Sequence, residues 1–207
     1  MADTVLDTRS RIVEAARRRL LADGFLGLST RKVADEAEVP LSQLHYHFGS
    51  KGGLITALFA EENNRLLERQ TEMYSQDKPL WQRYEQACDF LEDDLESGYV
   101  RVLQEMLAAG WSNPEIGDVV RDLLSRWFVL LADVAREAER RFGALGPFTP
   151  EEIATLVANA FIGSEALLLL GFERPVMPIR SALRRIGVII REREEAAGAV
   201  GPPVVAG

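Results

Sequence analysis

One cysteine and two histidines are all that 207 residues offer of the common thiolate and imidazole metal ligands. Cys88 alone cannot close an intramolecular disulfide, which makes a reducing cytoplasm the natural compartment. His45 and His47 stand two apart, so on a helix they point to different sides and make a poor metal site. No metal and no cofactor is expected. Met1 to Asp7 is short and acidic, where a secretory leader is basic and then apolar, so none is expected there. The most apolar stretch, Ile153 to Phe172, holds only twelve charge-free residues before Glu165. That is too short for a bilayer span and reads as a buried helix. Runs of alternating strand residues are lacking. So are a nucleophile elbow, an HExxH, a Gly-rich phosphate loop and a carboxylate cluster at ligand spacing, and no enzyme is expected.

What is present is ordinary for a soluble protein long enough to bury a core, with 47% hydrophobic and 27% charged residues. The net charge of −8 is unevenly spread. Residues 9–51 carry eight Lys/Arg against five Asp/Glu, whereas residues 52–207 carry sixteen against twenty-five. A small basic head on an acidic body gives such an asymmetry.

The periodicity is helical nearly throughout. Ile12, Val13, Ala16, Leu20 and Leu21 recur on one face of a first helix from about Thr8 to Asp23, with Gly24 as a left-handed stop. Ser29 and Thr30 offer cap hydroxyls to a second helix that turns Val33, Ala34 and Ala37 inward. It ends near Val39, because Pro40 disfavours helix before it and suits the first turn of a short third helix through His47. Ser50 caps a longer fourth helix. Beyond it the pattern is a bundle. Helices begin near Asp77 or Pro79, after Gly98, at Pro114, at Thr149-Pro150-Glu151-Glu152 and near Pro178, the last running to Glu195. The tail 196–207, rich in Gly, Pro, Val and Ala, reads as disordered.

Residues 29–51 read STRKVADEAEVPLSQLHYHFGSK. Two short helices joined by a tight turn, braced by a first, make a DNA-binding helix-turn-helix. Its second helix enters the major groove while its first crosses the backbone. Ser42, Gln43, His45 and Tyr46 can hydrogen-bond base edges or phosphates, Gln suiting adenine and Arg31 guanine or a phosphate. Lys51, with the free N–H groups of Gly52 and Gly53, forms a phosphate site at a helix start. Leu44 and Phe48 are anchors to the core. The run Arg17-Arg18-Arg19 reads as a solvated face.

Thr30, Val33, Ala34, Val39, Leu44, Tyr46, His47, Phe48, Ser50, Lys51 and Leu54 stand where residues 9–58 resemble the signature of the TetR (tetracycline-repressor) family. That signature is a Thr-initiated helix, a tight turn, then aromatic-His-Phe and Ser-Lys. The resemblance implies Arg31, Gln43, His45 and Tyr46 as base readers and Thr30, Ser42, His47 and Lys51 as phosphate contacts. It also implies an all-α fold. A three-helix DNA-binding domain over 1–56 is followed by a helical ligand-binding and dimerisation domain over 57–195. The pattern is departed from at Glu38, where a glycine is usual in the turn, and at Pro40, Ser42 and His45.

Such a protein needs an effector pocket. Tyr84, Phe90, Met106, Trp111, Trp127 and Phe128 can line one, with Gln104, Glu105 and Asn159 to orient a ligand. Ala160, Phe161, Ser164, Leu167 and Leu168, with Leu183, Ile186, Val188, Ile189 and Ile190, exceed what one core needs and suggest a homodimer through the last two helices, with Phe161, Ser164, Leu167, Leu168, Leu183, Ile186 and Ile190 at the interface. The partners expected are a double-stranded operator, a small, largely apolar effector and a second copy of the chain, with no membrane. The function expected is a ligand-released repressor. An activator, or a helical interaction module that does not bind DNA, stays open.

Overall fold

The structure is a computed structural model that describes residues 7–199. Among them are nine α-helices and no strand: α1 Thr8–Gly27, α2 Thr30–Glu36, α3 Leu41–Phe48, α4 Lys51–Ser75, α5 Leu80–Ser97, α6 Tyr99–Ser112, α7 Pro114–Phe142, α8 Pro150–Leu169 and α9 Ile179–Ala199. Several starts have a local cause. Asp7 accepts from the Ser10 N–H at 2.8 Å, and Ser29 from the Lys32 N–H at 3.2 Å. Thr149 and Glu152 close a reciprocal capping box around Pro150. Gly24 adopts φ +69 and kinks α1, which then runs on to Gly27 instead of stopping at Asp23. A side chain would be strained at that φ.

The chain forms two compact units, and the division is not a single cut in the sequence. The first unit takes residues up to Leu66 together with Ser97–Leu124. Its core joins Ile12, Ala16 and Leu20 of α1, Val33 of α2, Leu44 of α3 and Leu54, Ile55, Leu58 and Phe59 of α4 to Val102, Leu103 and Met106 of α6 and Ile116 and Val120 of α7. The helix-turn-helix is therefore braced by α6 as well as by α1. The units cut the chain differently from 1–56 and 57–195, because α6 turns its apolar stripe onto the same core as α1.

The second unit takes Leu67–Glu96 and the residues from Ser125 on. Arg83 is 2% exposed inside it. Its guanidinium donates to Glu137 at 2.6 and 3.2 Å and to the Tyr74 carbonyl at 2.6 Å. Trp127 donates its indole N–H to Gln70 at 2.7 Å. Tyr84 donates to the Leu183 carbonyl at 3.0 Å and meets Phe161 edge-on. Glu194 of α9 accepts from the Leu80 and Trp81 N–H groups and so caps α5.

Two expectations need correction here. Residues 196–199 continue α9 and are not tail, while 200–207 lie outside the described residues. At 20 residues α8 is long and apolar enough to cross a bilayer by length and composition, and it is not buried all round. It turns Ala154, Ala158, Phe161 and Glu165 inward and leaves Leu156 and Leu169 exposed.

Candidate functional site

The turn between α2 and α3 is built around a left-handed residue. Glu38 has φ +54, the one non-glycine residue with positive φ among those described. This is where the resemblance puts a glycine, the residue that takes a positive φ most readily. An L-residue there costs roughly 1–2 kcal/mol. Arg11 of α1 offsets it, donating from Nη2 to the Ala37 carbonyl at 2.6 Å and to the Glu38 carbonyl at 3.3 Å. The Val39 N–H closes on the Ala34 carbonyl at 3.0 Å. Pro40 then sits just outside α3 as its cap residue, and its carbonyl accepts from the Gln43 N–H at 2.9 Å. Lacking an N–H is harmless at a helix start.

α3 buries one side chain, Leu44. Phe48 is half-buried under the Arg9 guanidinium, 5.6 Å from the ring centroid. Ser42, Gln43, His45, Tyr46 and His47 all face solvent, Tyr46 at 85% exposure. An eight-residue helix held by two apolar anchors thus presents every polar side chain it has. His45 bonds through Nδ1 to the Gly49 carbonyl at 3.0 Å, and Tyr46 meets His47 edge-on. The bond to Gly49 orients His45 toward the end of its own helix.

The surrounding cations divide into spent and free. Arg31 is exposed and, among the described residues, without an ion pair. Arg17 pairs with Glu62 at 3.3 Å, Arg18 with Glu36 at 2.7 Å, and Arg19 with Asp23. The arginine run therefore stitches the unit together. Lys32 also pairs with Asp23, whose carboxyl Lys32 and Arg19 hold below its ordinary range. Lys51 donates to the Phe25 carbonyl at 2.7 Å and lies 4.8 Å from the Phe25 ring centroid. Burial lowers its pKa, and it ties the start of α4 to the end of α1. Thr30 is half-buried in the first turn of α2. Ser50 accepts from the Gly53 N–H at 3.1 Å and caps α4.

A cavity of about 410 Å³ opens in the second unit. Tyr74, Leu80, Tyr84, Leu131, Val134, Ala138, Phe142, Phe148, Val157, Ile186 and Ile190 are among its lining, and Arg193 is its single charged residue among those described. Of the residues expected to line a pocket, Tyr84 does. Met106 is in the core of the first unit, where Gln104 and Glu105 also lie, Glu105 accepting from the Phe25 N–H at 3.1 Å. Trp111 is 85% exposed on α6, and Asn159 is exposed on α8. Phe90 lies under the Arg69 guanidinium, and Phe128 packs edge-on against Trp127, which is held by Gln70. The missed signal was the stripe Leu131, Val134, Ala138, Phe142 on α7, together with Arg193 four residues past Ile189 on α9.

The expected dimer residues also divide. Phe161 and Leu183 are buried within the unit, against Tyr84. Ile186 and Ile190 line the cavity. Ser164, Leu167 and Leu168 are half-buried on α8. Apolar side chains left exposed on and just after these helices include Leu156, Leu169, Leu170, Val188 and Ile189.

Residues 12–58 match the family model described as bacterial regulatory proteins, tetR family. The HTH-type transcriptional regulator UidR of Escherichia coli K12 is 25% identical over 149 residues, spanning 68% of this chain and 70% of UidR. The transcriptional regulator FadR from Bacillus subtilis, solved in complex with stearoyl-CoA, superposes with a TM-score of 0.70 at 15% identity, over 86% of this chain and 96% of FadR. A Saccharomonospora viridis structure in complex with choline does so with a TM-score of 0.73 at 20% identity, over 90% and 96%. At these identities the two structures share the fold with this chain.

Proposed function

The chain belongs to the TetR family of bacterial regulatory proteins, a DNA-binding transcriptional regulator, and from that premise we propose that it is a repressor released from a palindromic operator by a small, largely apolar effector. The observation that carries this reading is α3, which buries Leu44 and turns Ser42, Gln43, His45, Tyr46 and His47 outward together. Gln43 and Tyr46 read base edges in the major groove, and Arg31 meets a base or a phosphate from α2. Ser42 and His47 contact the backbone, and Thr30 approaches it through the first turn of α2. Lys51 acts chiefly by holding the start of α4.

Two such helices are needed for a palindrome, and the uncovered apolar side chains of α8 and α9 supply a reason to dimerise. Leu156, Val188 and Ile189 stand at the centre of the interface we assign. The cavity receives the effector. FadR of Bacillus subtilis with stearoyl-CoA and the Saccharomonospora viridis structure with choline support the idea that this fold accommodates ligands of differing chemistry. Effector binding favours one spacing of the recognition helices over the other, and release follows from that difference in affinity. Working on chromosomal DNA, the protein acts in the cytoplasm.

A gel shift with the gene's own upstream region tests this. Specific retention that weakens with salt is expected, with Gln43→Ala and Tyr46→Ala each lowering specific affinity while light scattering still reports a dimer. Retention unchanged in both variants overturns the site, and a stable monomer at micromolar concentration overturns the dimer.

A further inference from the structure

The cavity of the second unit has a polarity that its apolar lining conceals. Two of its residues carry unused polar groups. Tyr74 is 9% exposed, yet its hydroxyl has no hydrogen-bond partner among the described residues, although it lines the cavity. Burial raises its pKa, so it stays a donor. Tyr84, by contrast, has its hydroxyl committed to the Leu183 carbonyl. Arg193 is exposed at the cavity and has no ion-pair partner among the described residues. Its neighbour Glu194 is turned to the N-terminus of α5, and Arg141 stands 3.9 Å from it. No acidic side chain lines the cavity among the described residues. A cationic ligand would therefore meet one like charge and no opposite one, whereas an anion would find an unpaired guanidinium and a buried donor.

We propose that this cavity takes a monoanionic amphiphile, with its apolar body among Leu131, Val134, Ala138, Phe142 and Val157 and its anionic head group at Arg193, while the Tyr74 hydroxyl donates to an oxygen of the ligand. This assignment rests on the cavity being the effector site, and it names the chemistry of the effector. The head group stays at the solvent side because Arg193 is exposed there, and its long stem covers apolar surface beneath it. Body and head are read separately: the aliphatic wall selects bulk, and Arg193 selects charge.

Three probes with one body separate these parts: decanoate, methyl decanoate and decyltrimethylammonium, each below its micelle concentration. Calorimetry on the full chain without DNA is expected to rank decanoate at least tenfold tighter than the ester, with the ammonium weakest. Arg193→Gln is expected to bring decanoate down about tenfold, near the ester, and to leave the ester unchanged. Tyr74→Phe keeps the ring, fills the same space and is expected to weaken decanoate several-fold. Equal binding of anion and cation overturns the proposal, as does the absence of decanoate binding or an Arg193→Gln effect equal on both probes. A gel shift run separately distinguishes the two readings. Decanoate that binds without releasing DNA sinks the ligand-released repressor and leaves the ligand class standing. Specific DNA binding without decanoate binding sinks only the ligand class.

Discussion

Glu137→Ala is expected to destabilise the second unit by roughly 3 kcal/mol, the low end of the range for breaking a buried ion pair. Arg83 is 2% exposed, and Glu137 supplies two of the three bonds that its guanidinium donates. Without the carboxylate the charge stays in place with only the Tyr74 carbonyl. The low end applies because the Glu137 side chain remains 23% exposed, so water reaches the gap. The double variant Arg83→Met with Glu137→Leu is expected to recover most of the loss, since an apolar pair needs no desolvated charge. A pH signature accompanies this. The hydrogen bonds from Arg83 hold the Glu137 carboxyl below its ordinary value of 4.5. The pair's contribution is therefore complete above about pH 4.5 and is lost as pH falls through the lower folded value. Glu137→Gln is expected to flatten that acid limb. Urea unfolding followed by tryptophan emission reads the effect. Trp81 and Trp127 lie in this unit, Trp127 buried against Gln70, while Trp111 is already exposed and adds a steady background. A loss under about 1 kcal/mol for Glu137→Ala, or an acid limb unchanged in Glu137→Gln, would refute the buried pair.

Glu38→Gly is expected to stabilise the first unit by about 0.5–1 kcal/mol, because relief of the left-handed strain exceeds the added freedom of the unfolded glycine; hydrogen exchange of the Val39 amide checks it, and faster exchange contradicts it. Gly98→Ala is expected to cost more than about 1 kcal/mol, since Gly98 has φ +83 and a Cβ there would lie 2.8 Å from a Leu21 methyl; a thermal melt matching the parent's argues against both constraints. Arg31→Ala is expected to lower the salt dependence of operator binding by about one counterion if Arg31 meets a phosphate, while Lys51→Met leaves that slope unchanged and lowers stability. A slope that falls for Lys51→Met would return Lys51 to the phosphate contacts.

Where a helix begins was readable wherever one residue type carried the cause. Ser29, Ser50 and Thr149 each accept the N–H their position in the sequence predicts. The outward face of α3 was readable for the same local reason: with Leu44 and Phe48 as the inward anchors, the polar side chains between and before them had only solvent to face. The cavity was not readable, because a stripe that lines a void has the same period as a stripe that fills a core. Leu131, Val134 and Ala138 on α7 face empty space, while Val102 and Met106 at the same spacing on α6 are packed solid. The difference lies in what stands opposite each stripe in the folded unit, which no local window contains. Aromatic content was a poor substitute, and it selected Trp111, which faces solvent. Glu38 shows the same limit at the interface itself. Its side chain argues against a turn that needs positive φ, and the compensation comes from Arg11, 27 residues earlier in the chain and on another helix. The turn is therefore a tertiary feature of α1. A change at Arg11 should reach the recognition helix although Arg11 is not among the residues assigned to DNA contact. Arg11→Ala is expected to weaken operator binding, and the same change made beside Glu38→Gly should weaken it less, because the glycine no longer needs the clamp. Equal losses in both backgrounds would mean that Arg11 acts elsewhere than through the turn.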